Sequence, residues 1–338
     1  MELAEELLSL GRRARAETGA RDVALFKRLK ASTRLAELVG RFTLHIAATP
    51  WLWGLGALSL AYHLAVEAQL NHSVMHGAYL GLPGAEQLTP NRYETLAVPF
   101  QTKTWRDAHR IHHAHPSTLA WDPDTLHPLF RVHPARRWRV WHRFSVALGA
   151  LFTFETWAFD YDAFLKQRGL RSPGDRGERR KFFVYLGYQL VLFPALARGH
   201  WGQVLLGGLF AILVRNVIFT GLQTSSSVGH AVSTLHARAA TRRGKDAWYR
   251  FQIETSKNFA IRRLRTICGG LDRHIEHHLY PGLPPNRLHL LSAEVRAICE
   301  RHGVRYQEFA SFGDSLRDSF SYLEELSRRS SPSRDLSA

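Results

Sequence analysis

Residues 51–70, "WLWGLGALSLAYHLAVEAQL", and 201–221, "WGQVLLGGLFAILVRNVIFTG", are apolar runs long enough to cross a bilayer core, which takes ~20 residues of helix. A third run, 182–197, is shorter, and two weaker ones lie at 35–48 and 144–159. These weaker runs fit either an interfacial position or the second arm of a hairpin. Buried helices of a soluble protein would read similarly, but Trp51, Trp53 and Trp201 stand at segment ends, where a membrane's aromatic belt would hold them. Short connections at 49–50 and 198–201 pair the runs, which leaves the long polar segments 71–143 and 222–338 on one side. The pattern predicts an all-α integral membrane protein with about four transmembrane helices in two hairpins and a helical cap on one face.

The net charge of +16 is mostly arginine. No basic run is interleaved with stacking aromatics and no zinc-finger spacing occurs, so nucleic acid is not the expected partner. Arginine-rich segments beside membrane spans give the same surplus through the positive-inside bias and attraction to anionic lipid, which makes the capped face cytoplasmic. The two cysteines, Cys268 and Cys299, are too few for a disulfide framework or a thiolate metal site and point to a reducing compartment. The opening "MELAEELLSL" lacks the basic region of a secretory signal. Residues 1–34 read as an amphipathic interfacial segment, 35–325 as one membrane domain, and 326–338 as a disordered tail. No internal repeat is present.

Three histidine clusters punctuate the polar segments: "HSVMH" (His72, His76), "HRIHH" (His109, His112, His113) and "HIEHH" (His274, His277, His278). Residues three and four apart share a helix face, so each cluster aims its rings one way. His115 falls to one flank, and Pro116 disfavours helical geometry at that position. Any one cluster fits a solvated surface as well as a site; three on the same side point to a metal centre. Neutral imidazole binds iron, zinc and copper. One metal rarely takes more than six ligands, so eight histidines argue for two. Without thiolates and with few carboxylates, the set suits redox iron better than structural zinc.

The order His-x-x-x-His, His-x-x-His-His and a distant His-x-x-His-His resembles the membrane fatty acid desaturases over roughly residues 45–310. The likeness is sharpest in "WRDAHRIHHAHPSTLAWDPDTLHP" and in "SKNFAIRRLRTICGGLDRHIEHHLYPGLP", which is similar to the front-end, acyl-lipid branch. The resemblance implies two non-haem irons on the cytoplasmic face of a four-span bundle. It also implies a further histidine ligand after the last span, by position His230. Three features depart from the pattern. His274 stands where front-end enzymes usually have Gln, no His-Pro-Gly-Gly haem motif occurs, and Ser226 replaces an asparagine of the acyl-CoA branch. Asp107, Asp122, Asp124 and Glu276 are candidate acceptors that orient ligand imidazoles. On an ideal helix Glu276 lies roughly 200° from His274 and would support a neighbouring element instead. Asp122 and Asp124 also fit an ordinary turn around Pro123. Trp105 and Asn258 match family positions, where packing or capping would also explain them. The remaining histidines, among them His127 and His236, form no helical cluster and read as structural or interfacial.

An unactivated methylene has no acidic proton and no leaving group, so acid–base or nucleophilic chemistry cannot start its reaction. Metal and oxygen supply the hard chemistry and the protein fixes the substrate. The expected activity is thus introduction of a cis double bond into a fatty acyl lipid or acyl-CoA, with O2 as co-substrate. The electrons would come from an external donor, a ferredoxin or a b-type cytochrome with its reductase. A lipid or carotenoid hydroxylase of the same superfamily is the nearest rival. An intramembrane zinc hydrolase is a more distant one, and no His-Glu-x-x-His occurs for it. The excess of arginine over lysine and the absence of an endoplasmic-reticulum retrieval tail favour a bacterial cytoplasmic membrane, with the endoplasmic reticulum as the alternative.

Overall fold

The computed structural model describes residues 2–119, 121–126, 128–232, 244–261 and 265–328. His127, His236 and residues 329–338 of the expected tail lie outside this set. The described chain is mostly helical: α1 (Leu3–Ala16), α2 (Ala20–Ile46), α3 (Pro50–Met75), α4 (Thr102–Ala114), α5 (Ser145–Gln167), α6 (Gly177–Leu186), α7 (Phe193–Leu196), α8 (Trp201–Ser227), α9 (Lys245–Glu254), α10 (Arg265–Cys268), α11 (His274–Leu279), α12 (Pro285–Arg301) and α13 (Phe312–Ser327). Two short strands, Asn258–Phe259 and Glu308–Phe309, pair in parallel.

α2 and α3 form a hairpin that turns at Thr49, whose side chain caps α3, with Pro50 in the first turn. The two helices approach closely at Gly40 and Gly56. A Cβ on Gly40 would lie 2.8 Å from the Leu60 nitrogen and 2.9 Å from the Gly56 carbonyl oxygen, the close contact that small residues allow. A second hairpin runs from α6 through a π-helical turn, Gly187–Leu192, into α7 and back along α8. Pro194 explains the widened turn, since it removes one helix donor and its ring crowds a carbonyl in the preceding turn. α8 packs against both α3 and α5.

Large apolar side chains point outward from these helices: Leu38 and Phe42 on α2, Trp51 and Leu55 on α3, Leu151 and Phe152 on α5, Phe183 on α6, Leu206 and Leu209 on α8. Arg215, Glu155, Glu37 and Arg41, within the apolar stretches, point inward and are paired. Fully buried Arg215 donates to the Ala97 carbonyl at 2.9 Å, the Tyr185 hydroxyl at 3.1 Å and Glu155 Oε1 at 2.5 Å. Glu37 accepts from Arg41 Nε at 3.0 Å and the Tyr188 hydroxyl at 2.9 Å. Such inward pairs are how ionisable groups survive in an apolar bundle, and they explain why 35–48 and 144–159 read as weak spans.

Of the four expected spans, one helix among the described residues, Trp201–Ser227, is long and apolar enough to cross a membrane, with a mean hydropathy of 1.9 over its most apolar window. In α3 the apolar run is diluted by Tyr62, His63 and Glu67. α1 buries the apolar face expected at an interface: Leu3, Leu7 and Leu10 pack with Ile253, Ile275, Val295 and Ile298. α2 runs unbroken across residue 34, where the sequence predicts the edge of an interfacial segment.

Candidate metal centre

α3 continues past its apolar run and carries His72 in its last turn, with His76 as its capping residue. On α4 the buried face is Thr102, Trp105, His109, His112 and His113, the spacing that stacks side chains along one side of a helix. His115 lies past the end of α4 with φ −138°, and its ring stands 5.4 Å from Trp121. α11 is six residues long and entirely buried. A double-glycine turn sets its position. Gly269 and Gly270 have φ of +57° and +96°, which side-chain-bearing residues rarely adopt, and a Cβ on Gly269 would collide with Gln69 of α3.

The three helices bring their imidazoles together in two groups. His72, His76, His109 and His277 have ligand atoms within 4.8 Å of one another, as do His112, His274 and His278. His113 joins the groups, its ring centroid 4.8 Å from that of His277 and 4.4 Å from that of His278. His72 Nε2 faces His109 Nε2 at 3.1 Å, and His109 Nε2 faces His113 Nε2 at 3.1 Å.

The outer nitrogens of His112, His278 and His274 are held by neighbours. His112 Nδ1 lies 2.9 Å from Asp122 Oδ1, and the same carboxylate accepts the Ser117 and Asp124 N–H groups at 2.7 and 2.9 Å. His278 Nδ1 meets Gln252 Oε1 at 2.9 Å, and the Gln252 amide donates to the His113 carbonyl at 2.9 Å. His274 Nδ1 meets the Ser226 carbonyl at 3.0 Å. Asp124 accepts from the Tyr161 hydroxyl at 2.9 Å and Gln223 Nε2 at 2.8 Å. With one ring nitrogen fixed in this way, the other is presented to the centre.

Burial, and then the neighbouring imidazoles, hold His109, His113, His277 and His278 well below the usual imidazole range. His274 is pushed down to about 3, first by burial and then by His112. His112 is the exception: burial works against its charge, but Asp122 and Asp124 outweigh it and push the ring up to about 9. The buried Nε2 atoms of His277 and His278 have no hydrogen-bond partner among the described residues. The Nε2 atoms of His76, His72, His109 and His113 follow one another at 3.3, 3.1 and 3.1 Å; burial disfavours a second proton on these rings, and a cation would take up the lone pairs that converge there. These residues fit a metal site.

Other residues singled out from the sequence stand elsewhere. Asp107 is paired with Arg106 on the outer side of α4, 34% exposed. Glu276 and Asn258 brace the chain behind α11: Asn258 accepts the Ile275 N–H at 2.9 Å and donates to Glu276 at 2.7 Å, and Tyr306 donates to Glu276 at 2.6 Å. The structure does not bring His230, expected to follow the last span as a ligand, into the cluster. α8 ends at Ser227 and Gly229 turns the chain, so His230 lies 44% exposed, 3.4 Å from Glu325 and with its ring against Tyr322 of α13. Sequence reasoning missed Gln252. Its one visible signal is a polar residue three positions after Tyr249 and next to Ile253 on the buried side of α9.

These observations define a helical protein with a buried histidine cluster that fits a metal site, where α3 and α8 end. Residues 48–310 match the fatty acid desaturase family, and the chain belongs to it. It is 30% identical over 321 residues to the NADPH-dependent stearoyl-CoA 9-desaturase of Mycobacterium tuberculosis, covering 90% of this chain and 74% of that protein. It is 23% identical over 294 residues to the sn-1 linoleoyl-lipid 6-desaturase of Synechocystis, covering 82% and 81%. The Delta(8)-fatty-acid desaturase of Euglena gracilis matches at 24% over 278 residues, covering 76% and 64%. The chain is thus an oxidoreductase of the lipid-desaturating kind, similar to acyl-CoA and acyl-lipid members alike.

Proposed function

We propose that this enzyme introduces a cis double bond into the acyl chain of a membrane lipid or acyl-CoA, with two irons held by His72, His76, His109, His112, His113, His274, His277 and His278. The observation that carries this is the convergence of eight buried or nearly buried imidazoles into two adjoining groups. Iron bound there would supply the redox chemistry by which dioxygen and two electrons remove two hydrogens from adjacent carbons. With two protons from solvent, the balance is one double bond and two waters.

The protein's own tasks are to position the chain and exclude water. A narrow space lies against His72, His109, His112 and His274, walled by Trp105, Trp157 and Phe219. A second, of about 680 Å³ with open solvent included, shares His112, Asp124, Trp157 and Gln223 with it and extends past Thr153, Thr220 and Val132. Together they suit an acyl chain, the chemistry named in the mycobacterial and cyanobacterial relatives. The outward apolar residues of α2, α3, α5, α6 and α8 support a membrane placement with about four spans, the capped side in the cytoplasm of a bacterium. Electrons then come from a ferredoxin or b-type cytochrome with its reductase, consistent with the NADPH dependence named for the mycobacterial relative.

The test is mass spectrometry of total fatty acids from a host expressing the chain with a donor and reductase, beside a His277→Ala control. A new double bond absent from the control is expected. A hydroxylated chain would favour an oxygenase instead, and zinc in the active purified protein a hydrolase.

A further inference from the structure

The clustered histidines are reached by two separate spaces. The cavity assigned above to the acyl chain touches His72 and His109. One helical turn further along α3 and α4, His76 and His113 form the floor of an open cleft of about 1730 Å³, solvent at its mouth included. The two spaces share no lining residue. Of the eight clustered histidines, His76 is half-buried and the other seven are buried.

Arg92, Arg106 and Arg110 line this cleft, and Glu86 is the one carboxylate among its lining residues. Leu80 and Trp248 stand on its rim, 47% and 41% exposed. Arginine and tryptophan dominate the energetics of protein interfaces, because a guanidinium pairs with carboxylates and an indole buries a large rigid area. Arg106 is paired with Asp107, so the surplus positive charge rests on Arg92 and Arg110; such a surplus attracts an acidic surface and speeds its encounter.

We propose that this cleft is the docking site of the electron donor, an acidic one-electron redox protein that delivers its charge by way of His76 and His113. The proposal rests on the desaturase reading. Two donor molecules are each oxidised by one electron per turnover. The two acyl C–H bonds supply the other two electrons that reduce O2, and two solvent protons complete two waters. Docking on the face away from the acyl cavity lets the site be reduced while the acyl chain is in place.

The test compares full-length wild type with Arg92→Glu/Arg110→Glu and Trp248→Ala in membranes. Turnover is driven either by a ferredoxin or b-type cytochrome with its NADPH-dependent reductase, or by dithionite. For the charge-reversal variant at low salt, the donor KM should rise about 10- to 100-fold. Its turnover at saturating donor and its dithionite-driven product should stay at the wild-type level. Arg92→Lys/Arg110→Lys should restore most of the donor affinity, and wild type alone should lose affinity as salt is raised. An unchanged donor KM overturns the proposal. So does a raised KM for the acyl substrate at fixed donor, which would make the cleft a head-group site. If dithionite sustains wild type but neither protein donor does, the partner class is wrong. If wild type forms no product even with dithionite, the desaturase reading itself fails.

Discussion

Asp122→Asn isolates what one carboxylate does for the metal centre. Asp122 is buried and accepts three hydrogen bonds, from His112 Nδ1 at 2.9 Å, the Ser117 N–H at 2.7 Å and the Asp124 N–H at 2.9 Å. Asparagine has one acceptor oxygen. If that oxygen keeps His112 and Asp124, its NH2 faces the Ser117 N–H, and two donors meet in a buried space. The unmade bond costs about 1–3 kcal/mol of stability. His112 also loses the charge that orients its ring and raises its basicity, for which about 10- to 100-fold in metal affinity is typical. That corresponds to about 1.4–2.8 kcal/mol. The assay is iron retained per chain across a chelator titration, with Asp107→Asn as control, since among the described residues Asp107 bonds outward to Arg106. The Asp122→Asn midpoint should move to at least about tenfold lower chelator while the control stays in place. In the metal-free protein the His112–Asp122 pair contributes its full stability below the ordinary imidazole value of 6.5 and loses it as pH rises through about 9. The gap in melting temperature between wild type and variant should therefore shrink across that window. A chelator midpoint for Asp122→Asn equal to wild type would refute the reasoning.

Gly40→Leu forces a side chain between α2 and α3 where a Cβ already meets backbone at 2.8 Å; the melting temperature in detergent should fall, for a cost above the ~1–3 kcal/mol usual for overpacking. Thr220→Phe fills the middle of the larger cavity, beside the Thr153 hydroxyl at 2.9 Å. It should shift products towards shorter acyl chains in gas chromatography, while iron content stays unchanged. Because His109, His113, His277 and His278 are held below their ordinary value in the folded chain, the unfolded chain takes up protons first. Metal-free protein should therefore lose stability as pH falls below about 6.5, measurable as a melting temperature that drops between about pH 7 and pH 5.

Spacing along the chain decided which residues could act together within a helix. His109, His112 and His113 must share a face of α4, and His274, His277 and His278 a face of α11, because the helical period allows nothing else. The same local rule placed His115 off α4 ahead of Pro116. Apolar run length marked α8 as a span candidate and scored its neighbours lower. Hydropathy scores a residue without regard to its partner, so Glu37, Arg41 and Glu155 weakened runs in which they lie paired and turned inward.

Only the tertiary structure decided which faces meet. Nothing local to the third cluster says that Gly269 and Gly270 turn α11 against Gln69 of α3, a contact between residues 200 apart in sequence. Asp107 and Asp122 are alike as candidates by proximity to the second cluster, but one bonds outward to Arg106 and the other folds back onto His112. Gln252 and the Ser226 carbonyl orient His278 and His274 from distant helices, where no motif marks them. His230 follows the last long helix as the resemblance expects, yet the turn at Gly229 sends it to α13. A residue's side chain can be assigned to a face from its own helix, but what that face touches depends on loop directions and long-range packing, which the local period does not encode.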